Sequence, residues 1–261
     1  MAAAILMMNM HGAVCASDHN RTIFRYSDKI PFAIMVDPRS ELNWENIMMA
    51  YQAKKSVSIE KTLEENANDF RLYLTDVLNQ ESESIKNKEI DKKVLCVGYD
   101  PDNMFPRVSV LIISRTKNSI IVYRRNNKIS EKLPEFHIHL GDCPNIQILF
   151  GGMSEDILEK VKEFFCNKLG DIMGNQEAAI GLINNFKNEY TEAFNKMQND
   201  PQVTDAISSF TIKDMVSLCE NLIETCGLQS NDNPAISPVR EIGVLTLAEG
   251  FVWIKHSMYG A

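Results

Sequence analysis

Residues 1–18 read MAAAILMMNMHGAVCASD, and the organisation of the rest depends on whether this stretch is a targeting segment or the first hairpin of a fold. A secretory signal needs a basic start, a longer apolar core and a cleavage site. Here residues 2–8 supply only seven apolar positions, and no Lys or Arg precedes them. Crossing a bilayer takes about twenty apolar residues, and Asn9 and His11 interrupt this run. The reading that fits is a hairpin: residues 3–8 and 13–16 flank Asn9-Met10-His11-Gly12, with glycine where such a turn most often needs a positive φ. Residues 3–8 are then expected to be buried, since AAILMM would otherwise expose a contiguous apolar patch.

Working outward from the hairpin, IPFAIMV at 30–36 is a third apolar, strand-like run. Trp44, Ile47, Met48 and Tyr51 follow helical spacing, as do Leu63, Ala67, Phe70, Leu74 and Val77, which predicts two amphipathic helices. A charged connection at 80–93 separates these from a second block of strands: VLCVGY from Val94, then RVSVLIIS and SIIVYRR around a turn at 116–118. IQILF at 146–150 is read as a strand leading through Gly151 and Gly152 into a helix capped by Ser154 and ended by Gly170. Further helices are expected over 176–198 and 211–226, the second with Thr211 and Asp214 at capping-box spacing and Gly227 as terminator. Strands at 241–247 and 251–256 around Ala248-Glu249-Gly250 close the chain.

This order lacks the strand–helix–strand alternation of a doubly wound parallel sheet. It suits an α+β fold in four layers, two antiparallel sheets stacked face to face with helices on both outer faces. With 261 residues and 44% hydrophobic content the chain can bury a large core, and a single domain over 1–261 is expected. The net charge of −8 opposes a phosphate-binding surface, so neither nucleic acid nor membrane is an expected partner. Six dispersed cysteines without CxxC spacing read as reduced thiols in a cytoplasmic protein.

The opening strand, the turn with Gly12 and AVCASD resemble the start of the proteasome β-subunit and HslV family of N-terminal nucleophile (Ntn) hydrolases, whose fold has the same four layers. In that family a catalytic Thr begins the first strand and an Asp follows the second. Counting back from Asp18 by the family's spacing places Ala2 at the Thr position. Lys29, in SDKI ahead of an apolar strand, resembles the family's catalytic Lys. EIGVLTLAEGFVWIKH resembles its closing hairpin, and ILFGGMSEDILEKV its strand, Gly-containing turn and helix. NWENIMMAY is similar to a helix start in uncharacterised bacterial proteasome-like proteins of comparable length, which begin Met-Thr-Ala-Ile.

The resemblance implies a threonine-type peptidase. The freed amine of residue 2 would act as base for that residue's own hydroxyl, Lys29 would favour the developing negative charge, and Asp18 would orient Lys29. Backbone NH groups after the third strand would hold the oxyanion. Two positions depart from this pattern. Ala2 has no hydroxyl to activate, so peptide hydrolysis is expected to be absent. VDPRSELNWE replaces the family's Gly-rich turn, and Pro38 carries no NH at all. Either Ala has been put in place of Thr in a threonine hydrolase, or the chain is a natural pseudoenzyme. The function classes that follow are a peptidase scaffold acting on peptide or protein substrates, a non-catalytic assembly subunit, and an amide transpeptidase in which an amine captures the acyl-enzyme. A homo-oligomer is expected, while ring size and any partner ATPase are not specified by these motifs.

His137 and His139 in FHIHLGDC share one strand face by alternation, with Asp142 and Cys143 close by. Two further ligands for zinc are not identifiable, so neither a metal nor a cofactor is expected. Met7, Met8, Met10, Met48 and Met49 are read as packing residues.

Overall fold

The computed structural model describes residues 2–27, 30–54, 56–80, 93–115, 120–128, 135–141, 175, 207–226 and 239–256. The chain divides into two compact units, Met1–Cys143 with Ile207–Ala261, and Pro144–Ala206. Every element below belongs to the first. The predicted strand at 146–150 and helices at 154–170 and 176–198 lie outside the described residues. So do the turn at 116–118, Gly227 and all but the ends of the charged connection, where Gln80 closes a helix and Lys93 opens a strand.

The fold is mixed α+β, and the described residues form two antiparallel sheets of five strands each. The first sheet contains β1 (Ala3–Asn9), β2 (Gly12–Ser17), β8 (Glu135–Gly141), β9 (Glu241–Thr246) and β10 (Gly250–His256), in the order β10-β9-β2-β1-β8. The second runs β3-β4-β5-β6-β7, formed by Ile23–Arg25, Phe32–Val36, Lys93–Gly98, Arg107–Arg115 and Ile120–Lys128. The hairpin, the closing strands and the second block of strands form where the apolar runs predicted them. The short β3 carries too few residues to show a period, and its pairing with β4, from Ile23 opposite Met35 to Arg25 opposite Ala33, identifies it.

The opening strand lies between β2 and β8, and all seven of its residues are buried. Ala4, Leu6 and Met8 enter a core shared with Ala33, Met35, Leu95 and Val97 of the second sheet. Ala3, Ile5 and Met7 point to the opposite face and are also fully covered. Burial on both faces explains why the sequence here is a continuous apolar run and not an alternating one. On the second sheet, Phe32, Ile34, Val36, Val94 and Cys96 alternate with the shared core and pack instead against two helices. These are α1 (Trp44–Ala53) and α2 (Leu63–Gln80), whose buried faces present Trp44, Ile47, Met48, Tyr51, Phe70 and Leu74. Each such side chain contributes about 1.5–3 kcal/mol when fully buried. A third helix, α3 (Ile212–Cys226), packs on β1 and β2. Among the described residues, no helix is long and apolar enough to cross a membrane.

Polar groups mark the helix starts, at α3 with the box that the sequence predicts. Asn43 accepts from the Asn46 N–H at the head of α1. Thr62 and Glu65 form a reciprocal box before α2, and Thr211 and Asp214 one before α3. The head of α2 has a second acceptor in Asp100, which takes the Leu63 N–H at 2.8 Å and is ion-paired with Arg107.

Gly12 is required by close approach as well as by its φ of +155°, since a Cβ there would lie 2.8 Å from the Leu245 carbonyl oxygen. Beside it, the fully buried Asn9 joins the hairpin to the approach of α3. Its Nδ2 donates to the carbonyls of Ile207 (3.0 Å) and Phe210 (2.8 Å), while its Oδ1 accepts from the His11 N–H at 2.8 Å. Asn9→Ala strips partners from buried carbonyls and is expected to cost about 1–3 kcal/mol, read from the urea unfolding midpoint. Asn9→Asp keeps the turn acceptor but faces a carboxylate to two carbonyls, and is expected to be at least as destabilising.

Candidate functional site

The hairpin register brings the start of β1 to the end of β2, Ala4 opposite Ser17. One step further, the two strands are joined by polar contacts. The Ala3 N–H donates to Asp18 Oδ1 at 2.8 Å, the Asp18 N–H donates to the Ala3 carbonyl at 3.1 Å, and Ser17 Oγ donates to that carbonyl at 3.2 Å. The Asp18 side chain is 1% exposed. On the other flank of β1, Ala3 stands opposite Gly141, where β8 ends. Gly141 has a φ of +83°, and a Cβ there would lie 2.0 Å from the Ala2 carbonyl oxygen. Only glycine fits so close to this backbone. Ala2 is itself buried, in a slot between β2 and β8.

Of the three residues predicted from the sequence, Ala2 and Asp18 are thus brought together at one end of the first sheet, while Lys29 lies outside the described residues. Among the described residues Asp18 meets His19, whose Nδ1 lies 2.7 Å from Oδ1. Adjacent Asp and His are common in turns, and nothing in the sequence distinguished this pair.

The turn after β4, the expected location of oxyanion donors, is closed on itself. The Arg39 N–H donates to Asp37 Oδ1 and the Ser40 N–H to the Asp37 carbonyl, both at 3.0 Å, and Pro38 has no N–H. Burial works against ionisation of Asp37, but bonds from Arg39 and from the Gly141 N–H outweigh it and hold the carboxyl below its ordinary value. Asp37 therefore joins this turn to the glycine behind Ala2.

A second buried acid stabilises the loop that follows Asp18. Glu241, at the start of β9, accepts the N–H groups of Arg21 (2.7 Å), Thr22 (3.1 Å) and Ile23 (3.0 Å). Arg21 has a φ of +64°, an unfavourable conformation for a residue that carries a Cβ, and the clamp holds it there. His256 Nδ1 lies 3.6 Å from Glu241 Oε1 and its ring stacks on Trp253 at 4.2 Å. These groups border a cavity of about 600 Å³ that Phe24, Met48 and Met49 also line. The sequence held no sign of this clamp, because a lone Glu opening an apolar strand reads as a solvated end.

Among the described residues, no group of three or more His, Cys, Asp or Glu is arranged to hold a metal. The backbones of His137 and His139 pair with Met7 and Ile5. Burial pushes the Cys15 thiol up to about 12 and that of Cys219 well above its ordinary value, so neither is a nucleophile at neutral pH.

Burial raises the Glu241 carboxyl above its ordinary value of 4.5, against the opposing pull of its three backbone donors and His256. The folded state therefore holds this proton more readily than the unfolded chain, and stability falls as pH rises from about 4.5 through the raised value. Glu241→Gln should remove that slope. It also turns an amide NH₂ toward a backbone donor, and is expected to lower stability at neutral pH by about 1–3 kcal/mol. Urea titrations of both forms across this pH range measure the two effects.

No protein-family model matches the chain, and no curated protein shows significant similarity to it.

Proposed function

We propose that the chain is a proteasome-like Ntn-hydrolase scaffold, a threonine-type peptidase framework whose nucleophile position is Ala2. The observation that carries this reading is the bond from the Ala3 N–H to the buried Asp18 carboxylate. It sets the residue at position 2 beside an acid at the spacing expected from the resemblance. The positions of α1 and α2 on one sheet and α3 on the other support the four-layer αββα arrangement. Buried Cys15, Cys96 and Cys219, none joined in a disulfide, support a reducing, cytoplasmic setting. As the chain stands, Ala2 gives the amine nothing to activate, and peptide or protein substrates would be bound without being cleaved.

A second reading, a non-catalytic subunit of a homo-oligomer, is favoured by one observation. The turn that should present oxyanion donors spends its N–H groups on Asp37. A chain long committed to assembly has no need of those donors.

Ala2→Thr separates the two. Once the residues ahead of position 2 are removed, verified by N-terminal mass, the Thr form is expected to cleave members of a fluorogenic peptide panel and to take up a Thr-directed covalent inhibitor. The Ala form is expected to do neither. Lys29→Ala in the Thr form should then reduce the rate by several orders of magnitude, as loss of one member of a cooperating catalytic unit does. A Thr form with a free amine that neither cleaves nor reacts overturns the peptidase reading and leaves the assembly subunit. In that case light scattering is expected to give a multiple of the mass of one chain.

A further inference from the structure

We infer that the cavity beside the Glu241 clamp is a binding site for a small aromatic carboxylate, its acid group meeting the donors of Arg25, Trp253 and His256 and its ring lying against Phe24, Met48 and Met49. Neither Ala2 nor Asp18 lines this cavity. The inference goes beyond the proposed function and stands whether or not the chain is a peptidase framework.

The cavity opens where β3 and α1 meet the start of β9 and the end of β10. Its volume of about 600 Å³ is in the range of pockets that take small organic molecules. Such pockets combine apolar walls with a few polar groups that fix the ligand's orientation. Here the apolar part is Ile23, Phe24, Met48 and Met49. Ile23 and Met48 are buried in the fold and give a fixed floor, whereas Met49 is 62% exposed. Two thioethers beside a phenyl ring suit a flat aromatic group, because sulfur packs favourably at a ring edge and methionine adapts its shape.

The polar part selects the charge of the ligand. Two acids line the cavity, and both have partners: Glu45 Oε2 pairs with Arg21 Nη1 at 3.2 Å, and Glu241 accepts the N–H groups of Arg21, Thr22 and Ile23. The donors are placed differently. Trp253 packs against the core shared by the two sheets, yet among the described residues nothing accepts from its indole N–H, which reaches solvent. The His256 ring stacks on that indole at 4.2 Å, with Nδ1 3.6 Å from Glu241 Oε1, outside hydrogen-bond distance. Arg25 is held through its main chain, since Gln52 Nε2 donates to the carbonyls of Arg25 (2.9 Å) and Tyr26 (3.2 Å). A guanidinium has five N–H donors, more than one acceptor uses. A carboxylate can take such donors through two oxygens in charge-assisted bonds, which an uncharged ligand of the same shape cannot.

The tryptophans make the test direct. The chain has two, Trp44 and Trp253, and the Trp44 indole N–H already donates to Ser40 Oγ at 2.9 Å. In a ¹H–¹⁵N spectrum the two indole signals are a reporter and an internal reference, and Trp253→Phe identifies which is which. Titration with 3-phenylpropionate is expected to move the Trp253 signal downfield, saturably and at millimolar concentration, and to leave that of Trp44 in place. The neutral 3-phenylpropan-1-ol is expected to bind at least about tenfold more weakly, the effect of losing one hydrogen bond to a charged group. Arg25→Gln is expected to weaken binding of the acid by about tenfold or more for the same reason. Met49→Glu sets a negative charge on the wall at an exposed position, so it is expected to abolish binding of the acid with the urea unfolding midpoint unchanged. A Trp253 signal that stays still, acid and alcohol bound equally, or a Met49→Glu form that binds the acid as the unaltered chain does overturns the inference.

Discussion

The contact on which the rest of this structure depends is the closure between Ala3 and Asp18. In most half-buried strands the pattern of apolar and polar side chains fixes the register, because a one-residue slip would turn apolar groups to water. That constraint is missing from β1. Both of its faces are buried, one by Ala4, Leu6 and Met8 and the other by Ala3, Ile5 and Met7, so a slip would exchange one apolar set for another. The register is held instead by polar groups at the two ends. Asp18 and Ser17 bind the backbone of Ala3 at one end, and Asn9 locks the turn at the other. These few bonds, about 1 kcal/mol each and more for the carboxylate, decide which side of β1 meets the second sheet.

The same economy recurs in the buried acids. Asp18, Glu241 and Asp100 are each taken out of water, and each accepts backbone N–H groups: Ala3 for the first, Arg21 to Ile23 for the second and the head of α2 for the third. Charge-assisted bonds of this kind offset the cost of burial and give a loop a single conformation. Asp18 and Glu241 act at one end of the first sheet, where Ser17 pairs with Glu241 across β2 and β9. The chemistry available there follows from the difference between them. Glu241 accepts three backbone donors, and Asp18 Oδ1 lies against both a backbone N–H and an exposed imidazole.

Much of the framework was legible because local signals were strong. The AAILMM run, the β-branched runs from Val94 and Arg107, and the Thr211–Asp214 box each correspond to an element in the structure. Residues 2 and 18 were placed together by the spacing in the family that the opening hairpin resembles. What escaped reading depended on partners remote in sequence. Glu241 meets Arg21 across a separation of 220 residues, and β3 is a strand only because β4 lies beside it. Gly141 carries no local mark of its task, which is set by the Ala2 carbonyl against it. His19 escaped for a different reason: adjacency in sequence predicts neither the direction of a ring nor the sharing of an oxygen.

The strand order of the first sheet also has a kinetic side. β1 and β2 precede the other described strands in sequence, yet β2 gains its second neighbour only with β9, which follows all the strands of the second sheet. Until then one long edge of an apolar ribbon has no partner, and edges of this kind invite pairing with other chains. Loop closure over so great a separation is slow compared with local helix formation. The helices α1 and α2, with β4 and β5, can settle early, while the amino-terminal hairpin waits. Asn9, whose amide reaches carbonyls about two hundred residues away, therefore acts late, as a latch that engages only once Ile207 and Phe210 have been made.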